Sequence, residues 1–200
     1  AVGKQLLKQS ADTVKKVSLE LGGHAPFIVF EDANLEDAVD GALIAKYRNS
    51  GQTCVCANRI YVQSSIYDDF SKRFTEKASQ LVVGDGLIAS TQQGPLISED
   101  AMKKASKHVE DAKNKGATIA TGGNPHSLGG LFFEPTVLTG VSDEMLIAQE
   151  ETFGPVAPIF SFESEKEVLE RANNTPYGLA AYFYTSDLGK SWRVSEQLDY

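Results

Sequence analysis

Two cysteines near one another in the chain are the first residues that could carry chemistry. Cys54 follows a Gly-Gln-Thr stretch at the predicted end of a helix, and a glycine turn at such a junction exposes side chains. An exposed thiolate is a strong nucleophile, whereas an ordinary free cysteine is a small buried hydrophobic residue. If the chain is extended here, the thiol of Cys56 points to the same side, so that one cysteine could be a nucleophile and the other its redox partner.

Two charged side chains could act on a substrate beside such a thiol. Glu20 ends a predicted strand just before Gly22 and Gly23, and parallel sheets present ligand-binding groups at the carboxyl ends of their strands. A carboxyl group buried there could serve as a general base; a solvated or ion-paired glutamate is the alternative. Arg48 precedes Cys54 and could bind an anionic substrate group with bidentate geometry, or simply face the negative end of its helix.

A third candidate is the stretch 150–155, which reads Glu-Glu-Thr-Phe-Gly-Pro. It places two carboxylates, Glu150 and Glu151, beside an aromatic ring and a rigid turn. Such a stretch forms either one edge of a ligand site or a solvated loop, and its position alone leaves both interpretations open.

Helical and strand-like patterns alternate along the chain and must position these residues. Apolar spacing and capping residues predict six helices. The first begins at Lys4, the second covers 35–43 with Asp32 or Asn34 as its cap, and the third begins at Ser65, which forms a capping box with Asp68. The fourth covers 102–112, the fifth begins with a capping box of Ser164 and Glu167, and the sixth follows Asp187. Strands are predicted at 17–21, 25–30, 60–62, 117–121, 132–138, 155–162 and 179–184. This alternation predicts an α/β fold with a mostly parallel sheet flanked by helices.

Composition excludes several classes of protein. With 200 residues, 42% of them hydrophobic, the chain can form one sizeable domain, or one domain with part of another. The 19 basic and 27 acidic residues give a net charge of −8, which disfavours nucleic acid and anionic membrane surfaces as partners. No run approaches the ~20 apolar residues that span a bilayer, and the basic-then-apolar order of a signal peptide is missing, so we expect a soluble intracellular protein. We expect no structural metal, because zinc would need about four ligands from the two cysteines and three scattered histidines, His24, His108 and His126.

Three motifs, in this order and at these separations, resemble the aldehyde dehydrogenase superfamily. They are Glu-Leu-Gly-Gly at 20–23, Gly-Gln-Thr-Cys at 51–54 and the stretch 150–155. The resemblance extends over essentially the whole chain, including Gly-Pro-Leu at 94–96 and Glu-Pro-Thr-Val-Leu at 134–138. Within the superfamily, residues 47–59 are most similar to succinate-semialdehyde dehydrogenases. The resemblance implies a catalytic domain over 22–200, preceded over 1–21 by the tail of a cofactor-binding domain.

The resemblance also implies roles for individual residues. Cys54 would be the nucleophile and Glu20 the general base. Glu151 and Phe153 would contact the nicotinamide ribose and ring of NAD or NADP, and the backbone of Leu21 would touch the carboxamide. The implied reaction is oxidation of a semialdehyde, succinate semialdehyde above all, to the acid through a cysteine thiohemiacetal and thioester.

Two further roles and the cellular setting follow from the same resemblance. Arg48 would hold the carboxylate of the substrate, and Cys56 would form a reversible disulfide with Cys54. The implied partner is a small aldehyde; the expectation of no metal, nucleic acid or membrane rests on the composition given above. The full-length parent would be a homo-oligomer in the cytoplasm, or in the mitochondrial matrix of a eukaryote.

The departures from the family pattern leave two other interpretations open. The sequence lacks the family's upstream asparagine of the oxyanion hole, its cofactor-contacting lysine and most of its glycine-rich segment, of which Gly3 is what remains. This predicts weak cofactor binding by an incomplete fragment. The chain could instead be a non-catalytic folding or association module. A cofactor-free cysteine acyl hydrolase would need a histidine base, and no histidine lies in a motif with Cys54.

Overall fold

The computed structural model describes residues 2–200 as helices and strands in alternation. The α-helices are α1 (Val2–Ala11), α2 (Leu35–Tyr47), α3 (Tyr67–Ser79), α4 (Glu99–Asn114), α5 (Leu146–Gln149), α6 (Glu165–Asn173) and α7 (Leu188–Gln197). The strands are β1 (Ala25–Val29), β2 (Ala57–Gln63), β3 (Thr118–Thr121), β4 (Thr136–Thr139), β5 (Val156–Phe162) and β6 (Tyr182–Tyr184). Short 3₁₀ turns follow α2 at Arg48–Gly51 and precede α3 at Ser64–Ile66.

The strands form one six-stranded sheet in the order β3-β4-β5-β2-β1-β6. Every neighbouring pair is parallel except β3 with β4, which is antiparallel. In the central strands Val29 pairs with Val62 on one side and with Tyr184 on the other. This confirms the predicted α/β class with a mostly parallel sheet.

Both faces of the central strands are buried, as an internal parallel sheet requires. Ile28, Tyr61 and Phe160 face a core closed by α4, α6 and α7. Their neighbours Phe27 and Ile60 face the opposite core, which α2 and α3 cover. Side chains alternate across a strand, so β1, β2 and β5 each contribute to both cores.

Short polar side chains cap most of the helices where the sequence predicts it. Asn34, rather than Asp32, caps α2 by accepting from two backbone N–H groups. Ser164 and Asp187 cap α6 and α7. The predicted capping box at Ser65 is wrong: residues 64–66 form a 3₁₀ turn, and the Ser65 hydroxyl donates to the Glu31 carboxylate and accepts from no backbone N–H of α3.

The predicted strand at 17–21 is absent, and this correction affects the site. Residues 15–24 are irregular, and 17–21 are exposed apart from the half-buried Leu19. Their alternating apolar residues suit a strand, but no strand of residues 2–200 lies alongside to pair with them. Two other strands are shorter than predicted: β4 begins only after Pro135, which has no N–H to donate, and β6 covers only the end of 179–184.

Within residues 2–200, none of the helices combines the length and the apolar character needed to cross a lipid bilayer.

Candidate active site

The three sequence motifs meet through glycines that allow very close backbone contact. A side chain at Gly23 would overlap the carbonyl oxygen of Cys54, and the Gly23 N–H donates to Glu151 Oε1 at 3.0 Å. Gly51 has φ +71°, and a Cβ there would overlap the carbonyl oxygen of Gly154. The segments around 22, 51 and 152 therefore pack directly on one another, although they are far apart in the sequence.

A strained turn after α2 presents Cys54. The helix ends at Tyr47, before it reaches the glycine at position 51. Asn49 and Ser50 both adopt left-handed conformations, with φ 52° and 58°. The Ser50 hydroxyl donates to the carbonyl of Gly94 at 2.9 Å, which holds the turn against the 94–97 loop. Non-glycine residues at positive φ concentrate at functional sites, so the turn itself points to function.

Gln52 is a residue of this turn whose function the sequence did not reveal. Its Oε1 accepts from the N–H of Ile97 at 2.8 Å, and its Nε2 donates to the carbonyl of Pro95 at 3.2 Å. The side chain therefore ties the residues just before Cys54 to the Gly-Pro-Leu loop. Its place within the Gly-Gln-Thr-Cys motif was the only signal in the sequence.

An open cavity of about 780 Å³ lies beside this turn. Its walls contain six of the seven predicted site residues together with Gly22, Gln52, Thr53 and Val55; the six are Glu20, Leu21, Arg48, Cys54, Glu151 and Phe153. None of the three histidines lines this cavity. The arrangement gives a thiol two carboxylates, a guanidinium and an aromatic ring around one space.

Cys56 is the seventh predicted residue, and it lies elsewhere. Residues 53–56 form a turn, with the Cys56 N–H donating to the carbonyl of Thr53 at 3.0 Å. The expectation that both thiols point to the same side of an extended stretch is therefore wrong. Cys54 is half-buried at the cavity wall, whereas the Cys56 thiol is buried and donates to the carbonyl of Lys46 at 3.4 Å. Both thiols are free.

Glu20 lies at the cavity but is exposed, so of the two alternatives for its carboxylate the structure has the solvated one and not the buried one. The physical reason is that its segment runs along the surface rather than ending a strand of the sheet. Arg48 is also exposed, directly after α2, and its guanidinium is in none of the arginine ion pairs within residues 2–200. Both side chains are therefore available to a ligand.

Glu151 is the half-buried carboxylate of the cavity. Burial raises the pKa of Glu151, and the hydrogen bond from the Gly23 N–H opposes that change. Phe153, two residues on, has φ 55° and leaves its ring partly exposed at the cavity. A half-buried carboxylate next to an exposed ring can accept hydrogen bonds from hydroxyl groups and pack against a flat ring of a ligand.

Comparison with known proteins decides the family. The aldehyde dehydrogenase family matches residues 1–200. The chain belongs to this family. It is 58% identical over 199 residues to a 3-sulfolactaldehyde dehydrogenase of Pseudomonas putida. It is 55% identical over 199 residues to a succinate semialdehyde dehydrogenase of Acinetobacter baylyi. Each of these alignments covers all of this chain and 41% of the relative.

Solved structures of the family agree with the fold. The crystal structure of succinate-semialdehyde dehydrogenase from Burkholderia pseudomallei superposes with a TM-score of 0.98 at 56% identity, over 100% of this chain and 41% of that one. The chain thus spans about 41% of the length of the relatives it matches. One further structure, a betaine aldehyde dehydrogenase from Staphylococcus aureus at 42% identity and TM-score 0.92, is described as a complex with NAD⁺.

A second cavity provides a fit test for the dinucleotide that family members use. It has a volume of about 790 Å³ and is lined by residues of the start of α1, of 19–22 and of 176–179, together with Glu151. It shares Leu21, Gly22 and Glu151 with the first cavity, so the two adjoin at the carboxylate. A carboxylate, a partly exposed ring and a glycine backbone at this junction fit the nicotinamide and ribose half of NAD or NADP.

Proposed function

We propose that the protein containing this chain oxidises a short semialdehyde to the acid with NAD or NADP. The observation that carries the proposal is the single cavity onto which Cys54, Glu20, Arg48 and Glu151 all open. Each of these residue types supplies something the reaction needs: a nucleophile, a base, an anion-binding group and a hydroxyl-binding group. The family membership and the 53–58% identity to semialdehyde dehydrogenases and to 3-sulfolactaldehyde dehydrogenase support it.

Cys54 performs the first step. Its thiolate attacks the aldehyde carbon and forms a tetrahedral thiohemiacetal, whose oxygen carries the negative charge. That oxyanion needs a fixed N–H donor. The backbone N–H of Cys54 donates to no acceptor within residues 2–200, so it is free to serve.

Glu151, Phe153 and the backbone of Leu21 would hold the nicotinamide half of the cofactor at the junction of the two cavities. When bound, NAD or NADP accepts the hydride that leaves the thiohemiacetal carbon.

Glu20 completes the reaction. The thioester left on Cys54 must be hydrolysed, and a carboxylate at the cavity wall can take a proton from the attacking water. Because Glu20 is exposed on an irregular segment, its side chain is free to reach a water between itself and the sulfur.

Arg48 sets the class of substrate in this proposal. Its exposed guanidinium can bind a carboxylate or another acid group with paired hydrogen bonds. The relatives are named for succinate semialdehyde, glutarate semialdehyde and 3-sulfolactaldehyde, all of them aldehydes that also carry an acid group. We infer that this protein takes a short aldehyde of the same kind, with succinate semialdehyde as the first to test.

The experiment is a rate measurement on the full-length protein with succinate semialdehyde and either NAD⁺ or NADP⁺. We expect formation of the reduced dinucleotide, and a fall of at least about a thousandfold in Cys54→Ser, because the attacking thiolate is lost. Cys56→Ser is the matched control and should retain most of the rate. A protein that binds the dinucleotide but oxidises no semialdehyde would contradict the proposal.

The compartment and the assembly stay predictions. The rice relative, which is 56% identical, is named a mitochondrial enzyme, and this supports a matrix location if the present protein is eukaryotic. If the protein is bacterial, we propose the cytoplasm. The homo-oligomeric state of the full-length protein is likewise proposed from the family alone.

A further inference from the structure

The segment that carries Glu151 and Phe153 has little regular structure of its own. It consists of α5, a single turn over Leu146–Gln149, and irregular residues that lead into β5 at Val156. Backbone hydrogen bonding alone therefore does not fix where the Glu151 carboxylate lies. The contacts that hold this segment must come from neighbouring elements.

One of these elements is α4, which contacts the segment at both ends. Asp111 accepts a hydrogen bond from the N–H of Leu146 at 2.7 Å, where α5 begins. One turn earlier on α4, His108 contacts the other end: its Nδ1 is 3.1 Å from Thr152 Oγ1 and its Nε2 is 3.4 Å from Glu150 Oε2. His108 is fully buried, and it touches the residues on both sides of Glu151.

The partners of His108 determine where its proton lies. A carboxylate only accepts hydrogen bonds, so the Nε2 of His108 carries the hydrogen toward Glu150, and its Nδ1 accepts from the Thr152 hydroxyl. Burial lowers the pKa of His108, against the opposing hydrogen bond with Glu150. The neutral ring present at pH 7 thus satisfies both neighbours at once.

A second buried histidine fixes the same segment from the side of the sheet. His24 Nε2 lies 2.9 Å from the carbonyl oxygen of Ala148, to which it must donate. Burial, followed by the charge of Arg59, lowers the pKa of His24 to about 4. His24 directly follows Gly23, whose N–H donates to Glu151, so one short stretch of chain contacts the segment through both a ring and a backbone group.

We propose that His108 is a positioning residue that holds the Glu151 carboxylate where the dinucleotide binds. His108 holds the side chains of the residues on both sides of Glu151, and His24 contacts the carbonyl of Ala148 in α5 beside the Gly23 N–H that donates to the carboxylate. The proposal rests on the proposed function, because it assumes that Glu151 contacts the cofactor. His108 lines neither of the two cavities, so it acts through other residues.

The first test removes the polar atoms of His108 and measures dinucleotide binding without any aldehyde. In His108→Phe we expect the dissociation constant for NAD⁺ or NADP⁺, measured by calorimetry, to rise about fivefold to tenfold, the size expected for losing one or two hydrogen bonds. The KM for the dinucleotide should rise with it, while the KM for the aldehyde stays within about twofold. His108→Gln should recover part of the affinity, because its amide can donate to Glu150 and accept from Thr152.

Two further variants keep the test decisive. His126→Phe is the matched control, since His126 lies away from both cavities and should leave the dissociation constant unchanged. Thr152→Val changes only the hydroxyl that His108 binds and keeps the shape of the side chain, so it is expected to fold even if His108→Phe does not. We expect it to weaken dinucleotide binding about threefold.

The outcomes separate this proposal from the proposed function. If the wild-type protein binds the dinucleotide and both His108→Phe and Thr152→Val, folded by circular dichroism, bind it equally well, the positioning role is wrong and the proposed function stands. If the wild-type full-length protein binds no nicotinamide dinucleotide, the proposed function itself has failed, and the positioning role fails with it.

Discussion

Gly23 leaves no space for a side chain next to the candidate nucleophile. A Cβ at this position would overlap the backbone carbonyl of Cys54, which cannot move aside as the end of a flexible side chain could. Gly23→Ala should therefore lower the free energy of unfolding by about 1–3 kcal/mol, the usual range for overpacking, and displace Cys54. Chemical denaturation measures the first effect and the rate of aldehyde oxidation the second.

Gly86→Ala is the matched control for this substitution. Nothing lies within 4 Å of a Cβ placed on Gly86, so the stability should stay within about 0.5 kcal/mol of wild type. If the two alanine variants unfold at the same denaturant concentration, the close contact between Gly23 and the carbonyl of Cys54 is wrong.

Arg48 provides the second prediction at the scale of single residues. In Arg48→Gln we expect the KM for succinate semialdehyde to rise by about tenfold to a hundredfold or more, because hydrogen bonds to charged groups contribute roughly 1.5–3 kcal/mol. Butanal has the same chain length without the acid group and serves as the internal control, with an unchanged KM. An equal rise for both aldehydes would assign Arg48 to the shape of the cavity rather than to binding the acid group.

Cys56 bears on oxidative regulation. Peroxide can convert the Cys54 thiolate to a sulfenic acid, which condenses with a second thiol to form a disulfide and water. The Cys56 thiol faces the carbonyl of Lys46, so this disulfide requires the 53–56 turn to rearrange, and we expect a strained, easily reduced bond. Cys56→Ala should lose the part of peroxide inactivation that dithiothreitol reverses; an unchanged reversible part would contradict the prediction.

The three short, contiguous motifs and the family resemblance that they carry were enough to choose six of the residues that line one cavity, whereas residue type and position alone left each of them open. Spacing could not show that Glu20 is exposed, since its burial depends on whether another strand pairs with its segment. Nor could it connect His108 to Glu150 and Thr152, because that contact joins residues about 40 positions apart. Long-range contacts of this kind leave no local pattern.

At the scale of elements, the sequence predicts the type of element better than its limits. Apolar periodicity identifies α2 and α3, because the buried side of each must face the sheet. The limits depend on local hydrogen bonds that periodicity does not record. Pro135 delays β4, and the left-handed residues Asn49 and Ser50 intervene between the end of α2 and Gly51.

Asp32 joins the end of β1 to the start of α7. Its carboxylate accepts from the Thr185 hydroxyl at 2.6 Å, from the backbone N–H groups of Ser186 and Asp187 at 2.9 and 3.0 Å, and from Lys190 Nζ at 2.8 Å. Burial favours the neutral acid, but these hydrogen bonds, that from Lys190 first, outweigh it and hold the pKa of Asp32 well below its usual range. The connection between two elements therefore depends on one ionised side chain.

Asp32→Asn should lower the free energy of unfolding at pH 7 by about 1.5–3 kcal/mol, the range for hydrogen bonds to a charged group. A carboxyl group with a lowered folded pKa stabilises the fold above its unfolded pKa of about 3.9 and loses that contribution as the pH falls toward the folded pKa. The difference between variant and wild type should thus narrow below about pH 4. Urea denaturation at pH 7 and pH 3 measures it.

The exposed Asp12 provides the comparison for this prediction. Asp12→Asn should leave the stability unchanged at both pH values, because the carboxylate makes no ion pair within residues 2–200. A constant difference between Asp32→Asn and wild type from pH 7 to pH 3 would show that the charge of Asp32 contributes nothing to stability.

At the scale of the whole 200-residue chain, residues 22–200 form a packed body and residues 2–21 are largely exposed. Among residues 2–21 only Gly3 is buried, and the apolar side chains of this segment lie largely in solvent; Val2, Leu6, Leu7, Val14, Val17 and Leu21 are the most exposed. Segment 2–21 nevertheless supplies walls to both cavities. This distribution supports the proposed division at residue 21, with stability residing in 22–200 and ligand binding shared across the boundary.

Two truncations of very different length test that division. In the 200-residue chain expressed by itself, deleting residues 1–21 should change the Tm by less than about 2 °C, because only Gly3 of residues 2–21 is buried, changes at exposed positions are worth about 0.5 kcal/mol, and 1 kcal/mol corresponds to roughly 2–4 °C at this size. The same deletion should abolish the weak dinucleotide binding expected of this chain. Deleting only 198–200 should cost more stability, about 4 °C or more, since the Tyr200 hydroxyl donates to the carbonyl of Ala172 at 2.6 Å and accepts from the buried Arg59. If removing residues 1–21 lowers the Tm more than removing residues 198–200, residues 2–21 fold cooperatively with 22–200 and the boundary at 21 is wrong.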